Sequence, residues 1–124
     1  MIRTIFFVVL AALVVLGAVW LAEHHFSTYS VCPSVHIMGA HVAAQTKNIR
    51  IGTGISLASF YHPLRLAEEV ALLDQLTQGR VNWGAGRGFD STEHKAFGVA
   101  PEDSYPKFRE SVGRRLVFAQ RQVF

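Results

Sequence analysis

Residues 19–26, with the sequence VWLAEHHF, constrain the fold more than any other stretch of this chain. Four apolar residues are followed directly by an acid and two adjacent histidines. An apolar run without alternation is typical of a strand covered on both faces, as parallel strands are. In open α/β sheets and in α/β barrels, ligands bind at the carboxyl ends of such strands. The stretch therefore predicts a buried parallel strand whose polar end belongs to a functional site.

Two further strands and three helices are predicted downstream. The strands cover residues 49–55 and 80–86, and the helices cover 35–46, the segment from Pro63 to just before Gly79, and a last segment around Phe108. A polar loop is predicted between the third strand and the last helix. Alternation of strand and helix is typical of a parallel sheet with right-handed crossovers. We therefore predict an α/β fold of about three βα units, which are too few to close a barrel.

The helix that begins at Pro63 has the clearest pattern in the chain. Proline suits the first position of a helix, and Gly79 is expected to end it. Four apolar residues form a predicted buried stripe: Leu66, Val70, Leu73 and Leu76.

Composition excludes several classes of protein. The chain has 124 residues, of which 50% are hydrophobic and 17% are charged, so a folded core in a single domain is expected. The net charge of +3 comes from scattered basic residues, and a nucleic-acid surface is not expected. The single Cys32 is compatible with a reducing compartment and a cytoplasmic location.

The N-terminal segment has two interpretations. Residues 5–22 carry no charged side chain. This uncharged stretch is just long enough for a membrane-spanning helix. Residues 19–22 are needed for the first strand, however, and the remainder is nearer the length of a signal-peptide core or a buried helix. We therefore assign residues 1–18 to an apolar N-terminal segment and 19–124 to the folded unit, with a membrane anchor through residues 5–22 as the alternative.

Two kinds of site are disfavoured by the spacing of polar residues. A zinc site needs three or four converging ligands, and the histidines outside the His24-His25 pair do not supply them, so no metal is predicted. Gly84, Gly86 and Gly88 follow the third strand, but their spacing is not that of a dinucleotide-binding loop. Glycines at a strand end do allow a flat ring or a phosphate to approach the backbone, and Arg87 among them is a suitable anion contact. A salt bridge from Arg87 to Glu23 or Asp90 is the alternative.

Several short motifs, in this order and spacing, resemble the bacterial luciferase-like flavin monooxygenases. The similarity extends over about residues 19 to 112, and each motif alone is modest whereas the set is specific. The matching segments are WLAEHHF at 20–26, IGTGI at 51–55, HPLR at 62–65, GAGRG at 84–88 and AFGV at 96–99.

The resemblance implies a TIM barrel that binds reduced FMN, or a deazaflavin in some relatives, at the carboxyl ends of its strands. Reduced FMN and O₂ would oxidise an aldehyde or another organic substrate, and a flavin reductase would supply the reduced cofactor. By the same resemblance His24 would act as a general acid or base near the flavin. Ile55, after a cis peptide bond to Gly54, would lie under the ring. Gly86, Arg87 and Phe89 would complete the flavin contacts, with Arg87 directed to the phosphate.

The chain also departs from the family pattern. An apolar run stands where a first strand and an amphipathic helix are expected, and a complete barrel takes about 250 residues. We therefore expect a fragment, a partial barrel. Two alternatives to catalysis stay open: a non-catalytic half-barrel that forms a homo-oligomer through exposed sheet edges, and a membrane-anchored remnant.

Overall fold

The computed structural model describes residues 17–28 and 32–121. Most of the predicted apolar segment, residues 1–16, lies outside these ranges, so its assignment stays a prediction. Among the helices that the structure describes, none is long and apolar enough to cross a membrane.

Short parallel strands and four helices alternate along the chain, which confirms the predicted α/β class. The strands are β1 (Ala18–Leu21), β2 (Arg50–Thr53), β3 (Ser56–Leu57), β4 (Val81–Asn82) and β5 (Ala85–Gly86). The helices are α1 (Val35–Gln45), α2 (Pro63–Leu76), α3 (Ser91–Ala96) and α4 (Pro101–Arg121), and a 3₁₀ turn covers Ala58–Phe60. One parallel sheet has the order β1-β2-β4, and β3 pairs with β5 in a second parallel sheet.

The predicted third strand, residues 80–86, is divided into β4 and β5, and the predicted second strand, residues 49–55, ends early at Thr53, with β3 following outside the predicted range. The hydroxyl of Thr53 donates to the carbonyl of Gly84 at 2.7 Å and accepts from its amide at 2.9 Å. A side chain thus takes both backbone groups of Gly84 where the ladder between β2 and β4 ends. The sequence predicted one continuous strand in each case, because a hydroxyl that replaces a backbone partner leaves no trace in the hydrophobic pattern.

The loop predicted after the third strand contains a short helix, α3, so the prediction was wrong for residues 91–96. Asp90 caps this helix, and its carboxylate accepts a hydrogen bond from the amide of Thr92 at 2.7 Å. Glu93 follows Asp90 by three residues, which is the spacing of a capping box. With only six residues, α3 is too short to show a helical repeat of apolar residues.

Helices α1 and α2 follow the predicted pattern with one exception. The hydroxyl of Ser34 accepts from the amide of Ile37 at 3.2 Å at the start of α1, and Pro63 opens α2 as expected. Leu66, Val70 and Leu73 are buried, but Leu76 is 64% exposed. Two successive steps of three residues fall short of full turns of 3.6 residues and rotate Leu76 off the buried face.

The core lies between the strands and the helices on one side of them. One cluster joins β1 and β2 to α1 through Val19, Leu21, Val35, Ala43 and Ile51. A second joins the 3₁₀ turn to α2 through Ala58, Leu66 and Val70. Trp20 points to the opposite face of β1, and its ring covers Gly52, where a Cβ would overlap the indole.

Arg80 connects the ends of three elements at the amino-terminal side of the sheet. Its guanidinium donates to the carbonyls of Thr77 (2.9 Å), Ile49 (3.1 Å) and Ala43 (3.1 Å), and to the hydroxyl of Thr46 (3.0 Å). These acceptors lie after α2, before β2 and at the end of α1. Five fixed donors suit an arginine, and no other side chain, to this position.

We expect Arg80→Ala to lower the free energy of unfolding by about 2 kcal/mol, because several carbonyls lose a charged donor at once. Arg80→Lys should recover only part of this, since an ammonium group cannot reproduce the fork. Urea unfolding followed by circular dichroism measures the difference.

Arg65→Ala is the matched control. Arg65 is exposed and lies beside Glu68 and Glu69 on the surface of α2, so its removal should cost less than about 1 kcal/mol. Equal losses for the two arginines would contradict the role assigned to Arg80.

Candidate functional site

The carboxylate of Glu23 is the central acceptor at the end of β1. Glu23 is 2% exposed, and its two oxygens accept from the amide of Leu57 and from the hydroxyl of Tyr61, each at 3.0 Å. The ring of His25 donates to the same carboxylate through Nε2 at 3.0 Å. A buried carboxylate is tolerated when several donors surround it, and here the donors come from β3, from the residue after the 3₁₀ turn and from the β1 end itself.

A second buried carboxylate, Glu93 on α3, faces the two histidines from the other side. Glu93 is 1% exposed. Its Oε1 accepts from the amide of His25 at 2.7 Å and lies 3.3 Å from Nδ1 of His24. The two rings are thus directed to different carboxylates.

Sequence analysis missed Glu93 because it lies in the segment predicted as a polar loop. The capping-box spacing from Asp90 was the signal that could have placed it in the first turn of a helix. Nothing in the local pattern indicates that its side chain is buried beside His24, which precedes it by 69 residues.

Ile55 and Gly86 lie against each other at the ends of β2 and β5. The peptide bond between Gly54 and Ile55 is cis, as the resemblance implied. A Cβ on Gly86 would overlap the Cδ1 of Ile55, and a Cβ on Gly84 would overlap the carbonyl oxygen of Thr53. The sequence suggested that these glycines leave room for a ligand, whereas the structure fills that space with the chain's own atoms. The consequence is an apolar surface, formed by Ile55, over the strand end.

Arg87 and Phe89 are exposed beside this surface. Phe89 is 89% exposed, and its ring meets that of His24 edge-on at a centroid distance of 6.4 Å. Arg87 and Phe89 line a cavity of about 540 Å³ together with Lys95. Among the described residues Arg87 forms no ion pair with Glu23 or Asp90, the alternative that the sequence left open. Glu23 is occupied by its own donors, and the Asp90 carboxylate caps α3.

An aromatic cluster holds His25 and α3 in place. Phe60 stacks on Phe97 at a centroid distance of 4.8 Å, and the ring of His25 packs edge-on against Phe97 at 4.7 Å. Phe60 also contacts the ring of His94, which is buried and hydrogen-bonded to the carbonyl of Val99. The cluster fixes the end of β1 against the helix that carries Glu93.

Ser56 and Ser59 follow the end of β2 and have different partners. Ser59 donates to the carbonyl of Arg87 at 2.6 Å. Ser56 instead lies in β3, is fully buried, and contacts Nε2 of His36 at 3.0 Å and the indole nitrogen of Trp83 at 3.1 Å.

His36 borders the inner end of a second cavity, of about 480 Å³, between α1 and α2. Burial lowers the pKa of His36. Its Nδ1 lies 3.4 Å from a carboxylate oxygen of Glu69, within ion-pair distance but without the alignment of a hydrogen bond.

The described part of the chain contains no group of three or more histidine, cysteine or acidic side chains arranged to hold a metal ion. The polar groups of the site are thus two carboxylates, two histidines and an exposed arginine. Together they offer proton transfer and anion binding beside an apolar surface.

Comparison with known proteins identifies the family. The family model for luciferase-like monooxygenases matches residues 4–114. The chain belongs to the luciferase-like monooxygenase family. This confirms the resemblance inferred from the motifs, and its members are monooxygenases.

A relative in this family is the oxygenase component of the flavin-dependent trigonelline monooxygenase of Acinetobacter baylyi, 38% identical over 99 residues. The match covers 80% of this chain and 26% of the relative. Among solved structures, monooxygenase RslO1 from Streptomyces bottropensis superposes with a TM-score of 0.75 at 37% identity, over 77% of this chain and 30% of that protein.

The oxygenating constituent of a 3,6-diketocamphane monooxygenase from Pseudomonas putida, solved in complex with FMN, shares the fold. Its TM-score is 0.76 at 24% identity, and the match covers 90% of this chain and 33% of that one. The chain thus spans about a third or less of these luciferase-like monooxygenases and corresponds to part of their barrel.

The hydroxyl of Tyr61 predicts a loss of stability at alkaline pH. Burial raises the pKa of Tyr61 above its ordinary value, and the Glu23 carboxylate raises it further. Above about pH 10 the unfolded chain releases this proton while the folded chain keeps it, so the free energy of unfolding falls as pH rises. Tyr61→Phe should flatten this decline, and at neutral pH it should cost about 1 kcal/mol because Glu23 loses a donor.

Urea unfolding at a series of pH values between neutral and alkaline conditions tests this expectation. Tyr105→Phe is the matched control, because Tyr105 is an exposed tyrosine of α4 and its removal leaves Glu23 with all its donors. If Tyr61→Phe retains the full alkaline decline, another group is responsible for it.

Proposed function

We propose that this chain carries the part of a flavin-dependent monooxygenase site formed by the first βα units, with reduced FMN as the cofactor and a deazaflavin as the alternative. The observation that supports this most directly is the position of Arg87 and Phe89. Both are exposed after the carboxyl end of β5 and border one cavity, and the ring of Phe89 meets that of His24 edge-on.

The residues present fit a flat ring with an anionic tail. Ile55 offers an apolar surface over the strand end, and Phe89 adds an exposed aromatic ring. Arg87 and Lys95 border the same cavity and provide positive charge, which suits a phosphate group carrying up to about two negative charges. The name of the Acinetobacter relative and the FMN in the Pseudomonas structure support a flavin.

Within this proposal His24 holds or releases a proton beside the reacting atoms. A reduced flavin, when bound, would supply the two electrons that reduce one atom of O₂ to water, while the other atom is transferred to an aldehyde or another organic substrate. An imidazole suits proton transfer near neutral pH. The side chains of Glu23 and His25 bond to each other, and Glu23 also bonds to Leu57 and Tyr61. Their role in this proposal is to fix the position of the end of β1. A separate flavin reductase is the expected source of reduced cofactor.

Titration of the purified 124-residue chain with reduced FMN, followed by flavin fluorescence under anaerobic conditions, tests the proposal. Saturable binding is expected. Arg87→Ala should weaken it by about 1 to 3 kcal/mol, because the phosphate loses a charge-assisted hydrogen bond. A parallel titration with a deazaflavin distinguishes the two cofactors.

Arg65→Ala serves as the control for net charge, since it removes an exposed arginine that borders neither Arg87 nor Phe89. Absence of binding to a folded chain, by any of these flavins, would contradict the proposed function. It would favour the second candidate, a non-catalytic partial barrel.

We also propose that the folded chain forms a homo-oligomer. The sheet is open at its edges, and edges of this kind favour pairing. Three large apolar side chains on α1 and α2 are also exposed, namely Ile37 (75%), Leu72 (57%) and Leu76 (64%), and all three border the cavity between these helices. A clustered apolar surface of this kind supports self-association.

Leu72→Glu should shift the chain toward the monomer, because association would bury an unpaired charge. Sedimentation velocity over a range of concentrations measures the shift. Lys107→Gln is the control, since it makes the same change in net charge at an exposed position of α4. A wild-type chain that sediments as a monomer at every concentration would refute the assembly.

A further inference from the structure

We propose that Glu93 is the positioning residue of His24, fixing both the orientation of its ring and the nitrogen that carries the proton. The inference rests on the proposed function only in giving His24 a part in the reaction. The arrangement itself is a property of the folded chain.

The hydrogen bonds around Glu93 Oε1 determine the tautomer. An ionised carboxylate only accepts hydrogen bonds. Since Oε1 lies 3.3 Å from Nδ1 of His24, that nitrogen carries the proton. In the neutral ring Nε2 is then the unprotonated nitrogen, because the bond made by one ring nitrogen sets the state of the other. His24 therefore presents a proton acceptor at Nε2.

The position of Glu93 is itself fixed by the fold. The amide of His25 donates to the same oxygen at 2.7 Å, so the carboxylate is held to the backbone beside His24. Helix α3 is anchored by His94, which is 7% exposed and packs against Phe60. Glu93 is 1% exposed. A buried carboxylate is tolerated when hydrogen-bond donors contact its oxygens.

Asp90 is another acid near His24, but it does not have this role. It contributes an electrostatic interaction with His24, while its carboxylate accepts from the Thr92 amide and lies on the surface at the start of α3. Glu93 is thus the carboxylate in hydrogen-bond contact with the ring.

The test reads the tautomer directly. Long-range ¹H–¹⁵N spectra of histidine-labelled protein, recorded at a mildly alkaline pH where imidazoles are neutral, distinguish Nδ1–H from Nε2–H, and His24→Gln assigns the signal. The wild-type chain should show the Nδ1–H form of His24. Glu93→Leu should convert it to a mixture, and Glu93→Gln should keep it, because an amide oxygen still accepts.

Val99→Ala is the control for a purely structural role. It loosens the packing behind α3 and leaves the carboxylate in place, so the tautomer should not change. An Nε2–H wild-type ring, or an unchanged tautomer in folded Glu93→Leu, would overturn the proposal. If Glu93→Leu does not fold, the wild-type spectrum decides alone.

Flavin binding separates this inference from the proposed function. Where reduced FMN binds, Glu93→Leu should lower turnover at least tenfold with little change in flavin affinity, and Glu93→Gln should restore part of it. A loss of flavin affinity equal to the loss of turnover would overturn the positioning role. A chain that binds no flavin but shows the Nδ1–H tautomer would refute the proposed function and leave the assignment of Glu93 standing.

Discussion

The burial of the Glu23 carboxylate is the constraint on which the rest of the site depends. A charge at 2% exposure is stable only when donors surround it, and Glu23 draws them from β3, from Tyr61 and from His25. Because the Leu57 amide is one of them, β3 is held directly against the end of β1. The strand ends that carry the site therefore meet both through this side chain and through the backbone, where the amide of Glu23 donates to the carbonyl of Ile55 at 3.2 Å.

The rings of the two adjacent histidines do not compete for one partner, because each contacts a different carboxylate. Glu23 holds the ring of His25 inside the protein, and Glu93 holds the backbone of His25 and the ring of His24. One histidine thereby completes the packing with Phe97, and the other faces the exposed ring of Phe89. The two rings thus lie in different surroundings, although the residues adjoin each other after the end of β1.

The sequence predicted those features that depend on local periodicity and capping. The parallel order of strands, Pro63 at the start of α2 and the buried Leu66 and Val70 were all predicted correctly. Thr53, Ser56 and Glu93 were not, because each acts on residues about 20 to 70 positions away. The motifs indicated His24 and Arg87 by resemblance, but the partners of His24 became visible only when α3 was placed beside β1.

The described side-chain hydrogen bonds of Glu23 and Glu93 arise within residues 23–99, although the chain spans about a third or less of its relatives. The aromatic rings that pack against His25 lie in the same stretch. Arg87 and Phe89 differ, because both side chains are exposed and border a cavity that is open to a ligand. The geometry of the proton-transfer group and the affinity for a cofactor are therefore separable properties: the first follows from buried hydrogen bonds already satisfied, and the second depends on how much surface encloses the ligand.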